Sequence, residues 1–256
     1  MTFEIESPAN ERIKWLVRLR DRKHRDAEAS FVVEGTRLYD RALAAGLKPR
    51  MTFVSDRATR TVGETVTVAP AVLDKASYRS RSQGLIAVFD QLDTSLESLE
   101  VGPSSLLFVA ENVEKPGNLG AMCRTAAAAG VSGIVTVGDT VDRWNPNALR
   151  ASTGAVFFVP VVASSWDELE SWVEGRIRLV AASPKGGKSL WETDLTGPLA
   201  VVIGAEDEGL SERAQTLADD LVAIPQTASG VDSLNASVAA AVVLFEAVRQ
   251  RTSGGS

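Results

Sequence analysis

The stretch Leu199-Ala-Val-Val-Ile-Gly-Ala-Glu-Asp-Glu-Gly-Leu-Ser211 decides the fold. Its apolar half, Leu199 to Ile203, is strand length and shows no polar alternation, the pattern of a strand buried on both faces. Gly204 and Gly209 permit tight turns and close backbone approach, and Ser211 is placed to cap a helix over 211–218. A buried strand, a polar glycine loop and a helix form the repeating unit of an open α/β sheet, whose ligands bind at the carboxyl ends of the strands. Working outward, the same alternation begins at Ser104. It predicts strands over 106–111, 133–137, 156–162, 178–182, 199–204 and 221–224, and helices near 118–129, 146–151, 166–174, 211–218 and 235–249. The expected fold class is α/β, a parallel sheet with helices on both faces, with a frayed tail over 252–256.

Residues 1–90 read as a smaller α/β unit. It has a basic helix over 12–22, a strand over 31–34, and a helix over 35–45 closed by Gly46 and Pro49. Short strands over 51–55 and 65–68, a helical patch around Lys75 and a strand over 85–89 follow. The polar segment 91–103, with Gly102-Pro103, is the expected linker, giving domains at 1–90 and 104–256. Residues 1–90 hold 16 Lys+Arg against 12 Asp+Glu, a net of +4; the rest hold 11 against 21, a net of −10. The basic charge is concentrated in Arg12, Lys14, Arg18, Arg20, Arg22, Lys23 and Arg25, with the single acid Asp21 among them. Such a cluster can neutralise phosphates and release counterions, which fits a nucleic-acid partner despite the overall net charge of −6. The competing reading is a solvated helix face.

Other classes fall away. The apolar runs are strand length, well short of the ~20 residues that cross a bilayer, and the N-terminus has no basic leader followed by an apolar stretch. Cys123 has no second cysteine to pair with, and His24 is the single histidine. The expectation is a cytoplasmic protein with no membrane contact and no metal site. Two apparent motifs are decoys. Ala182-Ser-Pro-Lys-Gly-Gly-Lys-Ser189 ends like a phosphate-binding loop but has alanine in place of its first glycine. Gly117-Asn-Leu-Gly120 lacks the third glycine of a dinucleotide fingerprint.

Three loops carry the chemistry. The first, Glu111-Asn-Val-Glu-Lys-Pro-Gly-Asn-Leu-Gly-Ala-Met-Cys-Arg124, places Asn118 as a helix cap and Arg124 six residues on, among small residues. The second is the 204–211 loop, with Glu206 facing its concavity. The third, Ile224-Pro-Gln-Thr-Ala-Ser-Gly-Val-Asp-Ser-Leu-Asn-Ala-Ser-Val238, runs into the last helix, with Ser233 or Asn235 as its cap. Each loop by itself has an ordinary structural explanation: a snorkelling arginine, a common glycine turn, two capping residues.

Together, in this order and spacing, the loops resemble the three motifs of the SpoU (TrmH-type) branch of the SPOUT RNA methyltransferases. The resemblance covers residues 104–250. It extends more loosely to 30–90, where Phe31-Val-Val-Glu-Gly-Thr-Arg37 is similar to the entry of a ribosomal-protein-like substrate domain. It implies a deep trefoil knot, a homodimer whose sites draw on both chains, and S-adenosylmethionine (AdoMet) as cosubstrate. The implied AdoMet site comprises Gly204, Ala205, Glu206 and Gly209, then Ile224, Pro225 and Gln226, then Ser233, Leu234 and Asn235, with Thr136, Val137 and Gly138 as further lining. The implied catalytic set is Arg124, Asn118, Glu206, Ser233 and Asn235, acting on a ribose 2′-hydroxyl. Arg124 is the family's base candidate; a guanidinium with a pKa above ~12 suits gripping a phosphate and polarising the hydroxyl better. Glu206 is expected to orient Arg124 or the loop, and Asn235 the ribose.

RNA contacts are expected from the basic cluster and from Arg37, Arg79 and Arg81. Structured RNA, and 23S ribosomal RNA in particular, is the expected substrate, in a housekeeping or antibiotic-resistance role. The competing readings are a transfer-RNA ribose methyltransferase and a catalytically silent RNA-binding or ribosome-assembly factor.

Overall fold

The structure, a computed structural model, describes residues 3–58, 64–184, 186–227 and 233–253. The middle of the third loop (228–232) and the last three residues of the expected tail (254–256) lie outside the described residues.

Four strands, β1 (Ser30–Glu34), β2 (Pro49–Val54), β3 (Val66–Thr67) and β4 (Leu85–Asp90), form a sheet in the order β1-β4-β2-β3. β4 runs antiparallel to both β1 and β2. Successive residues of a strand face opposite ways. Val32, Phe53, Ile86 and Val88 therefore meet α1 (Glu11–Arg18) and α4 (Pro70–Ala76) on one side. Phe31, Val33, Leu85, Ala87 and Phe89 face the other way, into the core of the larger unit. The single basic helix expected over 12–22 is two helices, α1 and α2 (Arg22–Ala27). The chain turns between them at buried Leu19, and the guanidinium of Arg25 takes the carbonyls of Leu19 (2.9 Å) and Arg20 (2.5 Å) that a continuous helix would have used.

The second sheet contains β5 (Leu106–Glu111), β6 (Gly133–Val137), β7 (Val161–Ser164), β8 (Arg178–Ala182), β9 (Lys188–Ser189), β10 (Leu199–Ile203) and β11 (Asp220–Ala223). All its pairings are parallel, in the order β7-β6-β5-β10-β8-β11-β9. Leu106, Phe108 and Ala110 face the layer of α5 (Pro116–Ala128), α6 (Pro146–Ala151) and α9 (Ala236–Ser253). Leu107 and Val109 face α7 (Trp166–Val173) and α8 (Glu212–Leu217). β5, β6 and β7 step outward in one direction. The chain then lays down β8 on the other side, and β10 returns to fill the slot between β5 and β8, with Val201 opposite both Phe108 and Val180. This reversal of strand order is the switch point at which open α/β sheets bind ligands.

The structure corrects three expectations in this unit. The strand expected over 156–162 is a 3₁₀ turn, Ala155–Phe157, entered through Gly154 at φ 81, and β7 begins only at Val161. The two-residue edge strand β9 was not expected. Thr252 and Ser253, expected to fray, are the last residues of α9.

Segment 91–103 separates the two sheets in sequence but not their cores. Phe31 stacks on Trp144 with ring centroids 4.3 Å apart and on Phe157 at 5.7 Å, and Arg41 lies 5.0 Å over Phe158. Beside this stack Arg25, 2 % exposed, pairs with Asp142, 8 % exposed, at 2.7 Å. Arg25 is thus not an RNA-facing cation. Its charge is neutralised inside the seam, where an unpaired guanidinium would cost several kcal/mol.

Candidate active site

The cavity lies at the carboxyl ends of β8, β10 and β11. It has a volume of about 300 Å³, and two of its walls come from the second and third sequence motifs.

The 204–211 loop forms one wall. Ala205 and Gly209 exchange backbone hydrogen bonds in both directions (3.0 and 3.1 Å), closing the loop into a narrow hairpin. Gly209 sits at φ 75, and any Cβ on Gly204 would collide with the Gly209 carbonyl, so neither position tolerates a side chain. The loop is anchored at its far end by Ser211. Its hydroxyl caps α8 by accepting from the Ala214 N–H (3.0 Å) and donates to Glu111 Oε1 (2.5 Å), while its N–H donates to Glu111 Oε2 (3.0 Å). Glu111, 1 % exposed at the end of β5, also accepts from Trp166 Nε1 at 2.8 Å. The motif reading passed over Glu111 because an acid at a strand end looks like an ordinary loop residue.

Of the residues expected to hold AdoMet, Gly204, Ala205, Glu206, Gly209, Ile224, Gln226, Ser233 and Leu234 line the cavity. Pro225 and Asn235 do not. Nor do Thr136, Val137 and Gly138, which end β6 beyond β5. There Thr136 donates to the Val162 carbonyl (3.3 Å), Val137 is buried, and Gly138 packs against Asn112. Ala182, Ser183 and Pro184 line it without having been expected. They begin the 182–189 stretch set aside as a false phosphate loop. Their position follows from β8 ending beside β10, which the sequence pattern does not encode.

At the cavity mouth the three motifs meet on one carboxylate. Glu206 Oε2 accepts from Asn118 Nδ2 (3.0 Å) and from Lys115 Nζ (2.6 Å), and Glu206 Oε1 accepts from Asn235 Nδ2 (3.2 Å). The salt bridge and the two amides hold the Glu206 carboxyl below its ordinary range, and Glu206 in turn raises Lys115. Asn235 is fixed from behind, its Oδ1 accepting from the Ser237 N–H (2.9 Å) and hydroxyl (2.6 Å) as it caps α9. Asn118 is not the cap of α5, since Lys115 holds that position and Pro116 starts the helix. One turn in, its side chain is free to face Glu206. Lys115 was missed because a lysine before a Pro-Gly pair carries no motif signal.

Arg124 stands apart. It is exposed, and among the described residues it makes no hydrogen bond or ion pair, so Glu206 does not orient it within one chain. α5 owes its position to Gly120, whose absent side chain lets the helix press on the Ala148 carbonyl and the Ala151 methyl of α6.

The basic residues divide. Arg12, Arg18, Lys23, Arg37, Arg79 and Arg81 are exposed. Lys14 and Arg22 are exposed but paired with Glu11 (2.7 Å) and Asp26 (3.4 Å). Half-buried Arg20 donates to the carbonyls of Lys75 (2.6 Å) and Ser77, closing the end of α4, so it joins Arg25 as a structural residue.

An open parallel sheet with a ligand-sized cavity at the carboxyl ends of its strands and a polar cluster at the mouth has the arrangement of an α/β protein that binds a small molecule. The SpoU rRNA Methylase family model matches residues 105–245, and an MRM3-like substrate binding domain matches residues 10–87. The chain is 32 % identical to the 23S rRNA (uridine(2479)-2′-O)-methyltransferase of Streptomyces viridochromogenes, over 94 % of this chain and 90 % of that one. An AdoMet-bound rRNA methyltransferase from Sinorhizobium meliloti superposes with a TM-score of 0.88 at 30 % identity, covering 96 % of this chain and 97 % of that one. The A. aeolicus TrmH/SpoU tRNA modifying enzyme matches with a TM-score of 0.50 at 28 % identity, over 62 % of this chain and 82 % of that one. The chain belongs to the SpoU rRNA methylase family.

Proposed function

We propose that this chain transfers the methyl group of AdoMet to a ribose 2′-hydroxyl of 23S ribosomal RNA. Family membership makes it an AdoMet-dependent RNA methyltransferase. The observation that carries the site assignment is the convergence of Asn118, Glu206 and Asn235, from three separate loops, at the mouth of one cavity.

The cavity suits AdoMet. Ile203, Leu210, Val222, Ile224 and Leu234 offer an apolar wall for an adenosine, and Glu206, Asp207 and Glu208 set negative charge beside a ligand that carries a sulfonium and an ammonium. AdoMet supplies a methyl group already activated by its sulfonium. The chain must place a hydroxyl in line with it, and positioning of this kind contributes up to ~7–11 kcal/mol in ideal cases. Asn118 and Asn235, braced by Glu206, and Ser233 beside them orient the ribose. Arg124 keeps its proton, grips the adjacent phosphate and polarises the hydroxyl.

Arg124 reaches that role in a homodimer. α9 exposes Val238 (47 %) and Phe245 (48 %), with Val242 half-buried between them, a stripe at helical spacing that a second copy covers. Pairing across α9 and its neighbour α5 brings Arg124 to a shared site. The family resemblance also implies a deep trefoil knot in the catalytic domain.

Residues 1–90 act as the RNA-binding domain and 104–256 as the catalytic domain. Exposed Arg12, Arg18, Lys23, Arg37, Arg79 and Arg81 supply most of the phosphate contacts, in addition to that of Arg124 in the acidic catalytic part. The match of the smaller transfer-RNA enzyme to 62 % of this chain favours ribosomal RNA, because an added basic domain suits a larger RNA.

The test incubates the protein with labelled AdoMet and, separately, deproteinised 23S RNA, 16S RNA and transfer RNA. Label at one alkali-resistant position of 23S RNA, lost in Arg124→Ala, is the expected result. Label in transfer RNA alone overturns the substrate. AdoMet binding with no transfer to any RNA overturns the reading for naked RNA.

A further inference from the structure

Among the described residues five large hydrophobic side chains are exposed, and one of them, Tyr78 (38 %), sits in the basic loop that touches both units. The guanidinium of Arg150, from α6 of the catalytic unit, lies 5.8 Å from the Tyr78 ring centroid. Asn147 Nδ2 donates to the Tyr78 hydroxyl at 3.4 Å, and Arg150 donates to Asn147 Oδ1, so the ring and the guanidinium are held together by one asparagine. The loop beneath is fastened from two sides. Glu34 accepts from the Ser77 hydroxyl (2.9 Å) and the Tyr78 N–H, and Arg20 donates to the Ser77 carbonyl. Ser77 Oγ then accepts from the Arg79 N–H at 3.1 Å. Arg150 has no carboxylate partner among the described residues, and Arg79 and Arg81 follow Tyr78 in the same loop, exposed.

An amphipathic ring presented on a hydrogen-bonded loop, next to a planar cation and with two exposed arginines in the same loop, has the features of a nucleobase-stacking platform. We propose that Tyr78 and Arg150 form such a platform, which takes one unpaired base of the substrate RNA at the junction of the two units. The inference rests on the RNA-substrate reading above. It assigns to that RNA a contact from the catalytic unit as well as from the basic domain. Its place is consistent with the reaction: α6 lies directly against Gly120, one helical turn before Arg124 on α5, so a base held at Arg150 belongs to a strand already led toward α5. It also accounts for Arg20, whose charge fixes the loop that presents the ring.

The experiment measures the affinity of the full chain for deproteinised 23S RNA by filter binding at several salt concentrations, and its affinity for AdoMet by calorimetry. Tyr78→Ala is expected to weaken RNA binding by about 5- to 100-fold, the range for removing one base–aromatic stack, with the salt slope unchanged because no phosphate contact is lost. Tyr78→Phe, which keeps the ring, is expected to recover most of that loss. Arg150→Gln is expected to weaken RNA binding as well, and all three variants to bind AdoMet as the parent does. Melting curves identify any variant that fails to fold, and Arg150→Gln tests the platform independently of Tyr78. Equal loss in Tyr78→Phe and Tyr78→Ala overturns the platform in favour of a tether between hydroxyl and Asn147. RNA binding unchanged in both Tyr78→Ala and Arg150→Gln overturns it outright. If the parent chain itself shows no affinity for 23S RNA, the substrate reading falls and the platform with it.

Discussion

Two ion pairs in this protein use the same chemistry in opposite surroundings. Arg25–Asp142 (2.7 Å) is closed inside the seam between the two sheets, its members 2 % and 8 % exposed. Lys115–Glu206 (2.6 Å) lies at the cavity mouth, its members 59 % and 31 % exposed. A buried pair cannot lose one member cheaply, because the other is left as an uncompensated charge. An exposed pair contributes little to stability, which leaves Glu206 available to organise two asparagines around a ligand. Burial therefore separates a residue that holds the units together from one proposed to arrange the chemistry, although both are charged residues near a motif.

Glu206→Ala has the largest expected effect on the reaction. It releases Asn118 and Asn235, and a site loosened by ~1 Å loses on the order of 100-fold in rate. kcat/KM falls while the urea midpoint stays near that of the parent; a large drop in midpoint with unchanged kcat/KM would reverse the two roles. Arg25→Ala is the complementary change. It costs about 3–5 kcal/mol in urea unfolding, with Asp142→Ala similar and the double variant less than the sum; additive losses would show that the pair is not coupled.

The thiol of Cys123 sharpens the contrast. Burial in α5 pushes its pKa up to about 12, so at pH 8 it is a neutral, covered thiol that reacts with a thiol reagent only when the protein opens. Arg25→Ala is expected to speed this labelling and Lys115→Met to leave its rate unchanged.

The smallest expected effect is on pH. The folded Glu206 carboxyl is held below its ordinary value, so the network is complete above that ordinary value and is lost only as pH falls through the lowered one. Lys115 is the largest cause of the shift. Lys115→Met is therefore expected to move the acid limb of kcat/KM to higher pH; a limb that stays in place would mean that the amides alone keep the carboxylate ionised.

The sequence carried most of the large sheet and the motif loops. β10, Leu199–Ile203, ends one residue before the strand expected over 199–204, and the strands over 106–111, 133–137 and 178–182 have the expected bounds. Asn118, Glu206 and Asn235 meet because a strand–loop–helix order brings strand ends to one edge. The basic run Arg12 to Arg25 was far less legible. Its seven cations look alike in sequence, yet Arg25 is sealed in the seam, Arg20 closes α4, and the remainder face solvent.

What the sequence determined by itself is local in origin: apolar runs become strands, glycines mark the loops, and the spacing of three loops marks the family. What only the tertiary structure decided is which side chain meets which partner across the chain. Arg25 finds Asp142 117 positions away, Asn118 finds Glu206 88 positions away, and Phe31 finds Trp144 across the joined cores. The physical reason is that burial and hydrogen-bond partnership are properties of packed surfaces, and a residue's sequence neighbours do not fix which surface it will face.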